Sequence, residues 1–251
     1  MQLRKVLDGH TIVAATGRWE VEDAASLINH RVQAIESRGK HLLMHFDDER
    51  VLHSHMGMTG SWHIYRHGEA WQKPERAAAI VMKTEKFVVV CFSPKLVELI
   101  TAQQLKRDTY LNRLGPDLLG VETNREDVLV RFRTQNAVPI GQAIMNQTVV
   151  CGVGNVYKSE VLFLENIHPL TRVRDLSDKQ IEKVVKRASD LMRRNLEGYP
   201  RRTRFSPGGN VWVYLRSGDE CRKCGTIVAM IRQGDLARST YYCPTCQPHD
   251  V

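Results

Sequence analysis

From residue 11 to about residue 93, apolar residues come in short runs broken by turn chemistry. The runs are Thr11-Ile-Val13, His41-Leu-Leu-Met-His-Phe46, Val51-Leu52, Ser61-Trp-His-Ile-Tyr65, Ala79-Ile-Val-Met82 and Phe87-Val-Val-Val90, punctuated by Arg38-Gly39, Asp47-Asp48 and His67-Gly68. Short runs of β-branched and aromatic residues at this spacing predict a sandwich or barrel. Ahead of them, Leu3, Val6 and Leu7 predict the end of a helix stopped by Gly9. After Pro94 the period lengthens. Thr101-Ala-Gln-Gln104 and Thr123-Asn-Arg-Glu126 match the capping box, and Arg113-Leu-Gly-Pro-Asp117 between them predicts a domain boundary. Residues 139–195 predict helix. Ser177-Asp-Lys-Gln180 caps a segment whose Ile181, Val184, Val185, Ala188, Leu191 and Met192 share one face, the spacing of a core stripe. Tyr199-Pro200 and Ser206-Pro-Gly-Gly209 predict a linker, and Val211-Trp-Val-Tyr214 leads into the tail.

The tail carries the sharpest chemistry. Cys221-Arg-Lys-Cys224 and Cys243-Pro-Thr-Cys246 are two Cys-x-x-Cys knuckles eighteen residues apart. That spacing suits a tetrahedral zinc with four thiolate ligands, Cys221, Cys224, Cys243 and Cys246. Four thiolates leave no open coordination position, so the zinc is expected to be structural. Thr226-Ile-Val-Ala-Met-Ile231 and Thr240-Tyr-Tyr242 predict the strands of an intervening hairpin, turning at Gln233-Gly-Asp235. Two disulfides are the alternative for the four cysteines. Cys91 and Cys151, in apolar runs, read as small core residues.

Length, 251 residues, allows one large domain or two to three small ones. No apolar run reaches membrane-span length, and the opening residues lack a signal peptide's apolar core, so a cytosolic protein without membrane contact is expected. The net charge of +8 has a partly local origin. Lys179, Lys183, Lys186, Arg187, Arg193, Arg194, Arg201, Arg202 and Arg204 crowd one stretch, joined by Arg216, Arg222 and Lys223. Beside a zinc module such a surface suits nucleic acid, and a solvated helix face is the alternative. Gly152-Val-Gly-Asn155 lies between two predicted helices, with Asn155 at the expected N-cap. A free helix N-terminus there suits a phosphate, and a plain tight turn is the alternative. The incomplete glycine pattern and the lack of a preceding strand argue against a nucleotide cofactor.

Together these features resemble the formamidopyrimidine-DNA glycosylase and endonuclease VIII family over nearly the whole chain. Ser37-Arg-Gly-Lys-His-Leu-Leu43 is similar to its hairpin-lysine motif, and His55-Met-Gly-Met-Thr-Gly-Ser-Trp62 to its next strand turn. Leu114-Gly-Pro-Asp-Leu-Leu119 is similar to the end of its first domain, Gly152-Val-Gly-Asn-Val-Tyr157 to its helix–two-turn–helix loop, and Arg238-Ser-Thr-Tyr-Tyr-Cys243 to its zinc finger. The stretch from Ser93 to Leu119 lies closer to the endonuclease VIII branch. The resemblance implies a multidomain α and β fold: an N-terminal β-sandwich (1–119), a helical helix–two-turn–helix domain (120–209) and a zinc-finger β-hairpin (210–251). It implies a monomeric repair enzyme acting on damaged double-stranded DNA, located in the cytoplasm or nucleoid. Base flipping, amine attack on the sugar and strand cleavage by elimination are the implied chemistry.

By the same resemblance Lys40 serves β-elimination, and Arg238 grips phosphate and serves δ-elimination. Asn155 binds phosphate, Arg113 is a further DNA contact, and Met58 fills the gap left by the flipped nucleotide. From the residues alone, Lys40 also fits a solvated turn lysine and Met58 a buried strand methionine. The family's opening Pro-Glu has no counterpart, since Met1-Gln-Leu-Arg-Lys5 resembles the late part of its first helix. A start site placed too late is the expectation, and a non-catalytic DNA-binding protein of the same fold is the alternative.

Overall fold

The computed structural model describes residues 2–120, 124–196 and 200–249. The chain forms two compact units, Met1–Asn112 and Arg113–Val251. Met1, Thr123 and Tyr199, used in the sequence reading, lie outside the described residues.

The first unit opens with α1 (Gln2–Leu7), whose Leu3, Val6 and Leu7 are buried. Gly9, at φ 76°, ends it, and its amide donates to the Val32 carbonyl. Eight strands follow: β1 (Ala14–Gly17), β2 (Val32–Arg38), β3 (His41–Phe46), β4 (Arg50–His55), β5 (Ser61–Arg66), β6 (Ala78–Lys83), β7 (Phe87–Phe92) and β8 (Leu96–Thr101). They make two four-stranded sheets, ordered β1-β6-β7-β5 and β2-β3-β4-β8, and every pairing is antiparallel. Alternate residues of the two sheets share one core: Leu42 and Met44 of β3, Ile80 and Met82 of β6, Val89 and Cys91 of β7. The period of two along a strand puts them on one face. This is the expected β-sandwich, and Cys91 is the expected core residue.

Several details differ from expectation. The apolar runs missed β2 and β8, which are the two edges of their sheet. The lengthened period expected after Pro94 begins one strand later. Leu96 to Thr101 pairs with β4, and helix starts only at Ala102. Thr11–Val13 holds only an isolated bridge, Thr11 to Arg31, ahead of β1. A 3₁₀ segment, Trp19–Leu27, was not foreseen. Thr101 does form its capping box, starting α2 (Ala102–Arg107), and α3 (Thr109–Arg113) follows.

The second unit begins in earnest at α4 (Arg125–Arg133). Its described cap is Asn124, which accepts from the amides of Glu126 and Asp127. The helical region expected over 139–195 consists of α5 (Ile140–Ala143), α6 (Asn155–Leu164) and α7 (Asp178–Arg193). The glycine-bearing loop before α6 and a Pro169-bearing segment after it interrupt the ladder. Ser177 and Gln180 make the predicted capping box on α7. Its stripe is buried at Ile181, Val184, Ala188, Leu191 and Met192, with Val185 half-buried, against α4, α5 and α6. Cys151 is buried in this unit. Two strands, β9 (Ala229–Gln233) and β10 (Arg238–Tyr242), form an antiparallel hairpin. Its first strand starts later than expected, because Thr226 and Val228 bond back to Cys221 and Asp219 to shape the first knuckle. No described helix is long and apolar enough to cross a membrane.

Candidate zinc centre and nucleic-acid interface

The four tail cysteines converge, with sulfurs within 4.8 Å of one another. Cys221 and Cys246 Sγ are 3.9 Å apart, and Cys224 and Cys243 Sγ 3.4 Å. Thiolates about 2.3 Å from a tetrahedral zinc stand about 3.8 Å apart, so the cage fits the ion. None of the four is in a disulfide. Backbone amides face the sulfurs, Lys223 N–H on Cys221 at 3.4 Å and Cys246 N–H on Cys243 at 3.5 Å. These bonds favour the thiolate form that zinc requires. The geometry is a site for one structural zinc held by Cys221, Cys224, Cys243 and Cys246.

The knuckles present a hairpin, and buried glutamines fix where it goes. Gln247 donates to the Ile167 carbonyl at 2.7 Å and accepts from the Cys243 amide. Gln233 donates to the Pro169 carbonyl at 3.0 Å and accepts from the Thr240 hydroxyl at 2.7 Å. The segment after α6 is thus clamped to both ends of the finger. Along β10, Tyr241 N–H donates to Ser159 Oγ of α6, and Lys158 Nζ donates to the Ser239 carbonyl at 3.2 Å. Asn155 Nδ2 donates to Ser239 Oγ at 3.3 Å, while its Oδ1 is buried without a partner. Asn155 and Arg238 therefore meet around Ser239, with Arg238 exposed at the head of β10.

Asn155 is not the N-cap. Gly154, extended at φ −119°, takes that place with no side-chain cap, and Asn155 is the first helical residue. Its amide is committed to the finger instead. The first-turn amides of α6 consequently lack a side-chain acceptor from the cap, and the helix dipole adds partial positive charge there. Gln147 braces the preceding loop, donating to the carbonyls of Met145 and Val153 and accepting from the Gly152 amide. Gly152, at φ 96°, tolerates a conformation that side chains disfavour.

In the first unit, the register places Lys40 and Met58 at the same end of one sheet. Arg38 pairs with His41 across the Gly39-Lys40 turn, and His41 pairs with His55. Lys40 is exposed at that tip. Met58, in the turn after β4, is 99% exposed, which removes the buried-strand reading of this methionine. Beneath the tip lies an unpredicted chain: His41 Nδ1 to His53 Nε2 at 2.7 Å, then His53 Nδ1 to Glu98 at 2.8 Å. Burial first, then the charges of Lys95 and Lys40, hold the His55 pKa below its ordinary value. Arg113 is exposed at the end of α3 and heads the second unit.

The basic run divides in two. On α7, Lys186 pairs with Asp190 and Arg187 with Glu165, as a solvated helix face does. Beyond it, Arg194 stacks over Phe205, Arg201 over Tyr157 and Arg204 over Trp212. Sequence reasoning missed Lys158, Glu160, Gln233 and Gln247. Two charges inside the apolar Val156–Leu164 run of α6 were the available signal for the first pair.

Comparison with known proteins matches this anatomy. Family models for the formamidopyrimidine-DNA glycosylase N-terminal domain, its H2TH domain, and the zinc finger found in FPG and IleRS match residues 1–95, 114–205 and 218–248. A probable endonuclease 8 2 of Streptomyces coelicolor is 31% identical over 98% of this chain and 90% of its own length. The DNA-(apurinic or apyrimidinic site) lyase Nei2 of Mycolicibacterium smegmatis is 33% identical over 98% and 94%. The fold is that of Lactococcus lactis formamidopyrimidine-DNA glycosylase bound to DNA containing an abasic site, at a TM-score of 0.81 and 23% identity over 99% and 96% of the two chains. With relatives this similar along almost its full length, the chain belongs to the formamidopyrimidine-DNA glycosylase and endonuclease VIII family.

Proposed function

We propose that this protein is a base-excision DNA glycosylase with apurinic/apyrimidinic lyase activity, acting on oxidised bases in duplex DNA. The observation that carries the reading is the meeting at Ser239 of Asn155, from a helix N-terminus, and Arg238, from a zinc-held strand. An exposed guanidinium and helix-terminal N–H groups are what a distorted DNA backbone is gripped by. In this reading Asn155, Arg238 and Arg113 hold phosphates, and Met58 enters the gap left by the extruded nucleotide. Lys40, on the hairpin tip, assists β-elimination, and Arg238 assists δ-elimination.

The nucleophile of the family chemistry is an N-terminal proline amine beside a glutamate. Amine attack on the sugar C1′ expels the base and forms an imine, which acidifies the neighbouring C–H bond so that the 3′ phosphate can leave. The divisions 1–119, 120–209 and 210–251 then correspond to catalytic, helical DNA-binding and finger segments of a monomer working without a nucleotide cofactor, in the cytoplasm or nucleoid. Borohydride added to protein bearing a Pro-Glu start, mixed with a duplex containing one oxidised base or abasic site, is expected to trap a covalent adduct. Tight binding with neither adduct nor strand scission would replace this reading with a non-catalytic damage binder.

A further inference from the structure

Lys158 is a lysine with 1% exposure, placed in the first turn of α6. Among the described residues its ammonium makes one hydrogen bond, to the carbonyl of Ser239, and no ion pair. An ammonium offers three donors, and burying its charge without a counter-charge is costly. The charged groups around it are few. Arg238, one residue from Ser239, is the charge that acts on it, and it is positive. Glu160, two residues along α6, is turned to Thr203 and the backbone of residues 212–214. Asp235 is exposed in the hairpin turn. Lys158 and Arg238 both line a cavity of about 540 Å³, whose wall also includes Asn146, Gln142 and Gln233.

We propose that Lys158 is a positioning residue for the phosphate grip: it fixes β10 through the Ser239 carbonyl and sets a second positive charge behind Arg238, so that a DNA phosphate completes its charge balance. This rests on the reading of Arg238 as a phosphate contact. Burial, then Arg238, lowers the Lys158 pKa to about 8. A bound phosphate favours the charged form, so DNA affinity should depend on protonation of this lysine.

The experiment measures affinity for a duplex containing one abasic site as pH rises through about 8, with zinc content and thermal melting followed in each variant. Wild type is expected to weaken across that range. Lys158→Met should bind about tenfold more weakly at neutral pH, the size of one charge-assisted contact, and lose the pH dependence. Lys158→Arg should restore binding and stay flat through the same range. A Lys158→Met or Lys158→Gln protein that is zinc-loaded, folded and unchanged in affinity and pH profile overturns the inference. So does one weakened equally at every pH with the wild-type profile intact. Arg238→Ala separates the two claims: if it binds like wild type, the phosphate reading itself fails.

Discussion

At the residue scale, the strongest structural commitments are buried polar groups whose partners are the backbone. Glu160 is 0% exposed. One of its oxygens accepts from the Trp212 amide and the Thr203 hydroxyl, the other from the amides of Val213 and Tyr214. A buried donor left unpaired costs about 1–3 kcal/mol, so Glu160→Ala is expected to destabilise the second unit by more than about 3 kcal/mol. Glu160→Gln should cost less, and denaturant titration measures both. Histidines give the opposite lever. Burial first, then His55 and His53, lowers the His41 pKa to about 4, and burial, then His249, does the same for His168. Unfolded histidine titrates near 6.5, so the unfolded chain binds more protons between about pH 6.5 and 4. This contribution to stability is full above that window and lost as pH falls through it. Melting temperatures followed downward should drop there, and less so in His41→Phe; a rise on acidification contradicts the assignment.

At the element scale, capped and amphipathic segments were the legible ones. Ser177 and Thr101 cap the helices they were expected to cap, and the α7 stripe is the core face of that helix. Leu191→Ala is expected to cost about 2–5 kcal/mol, measurable by urea unfolding. The strands that escaped notice have a physical reason. Edge strands carry polar groups as protection against pairing. Gln33, Glu36 and Arg38 interrupt β2, Glu98 interrupts β8, and a register shift between Val32 and Ala34 breaks the alternation. Asn155 lies one residue past the expected N-cap position for a related reason. A local cap can be read from neighbouring residues, whereas its bond to Ser239 spans 84 positions and exists only once the finger folds. Gln233 and Gln247 were invisible for the same reason, while the four cysteines were legible because their ligand pairs are local in sequence.

At the scale of the whole molecule, zinc sets the geometry of the hairpin that carries the proposed phosphate grip. The hairpin's small core consists of Phe163, Val213, Val228 and two of the ligands themselves, Cys221 and Cys243. So small a core relies on the metal for its fold. Cys243→Ser is expected to release the ion and abolish DNA affinity while the β-sandwich keeps its own core; elemental analysis and circular dichroism report the two effects. The net charge of +8 adds a nonspecific component that salt removes. Recognition of damage is the component that remains. The most direct test is the affinity ratio between a duplex with one abasic site and the matching intact duplex, measured at moderate salt with and without a zinc chelator. The ratio should favour the abasic duplex strongly and collapse on chelation. Equal affinity for both duplexes in the zinc-loaded protein, or a preference that survives zinc loss, would contradict a finger-held grip on damaged DNA.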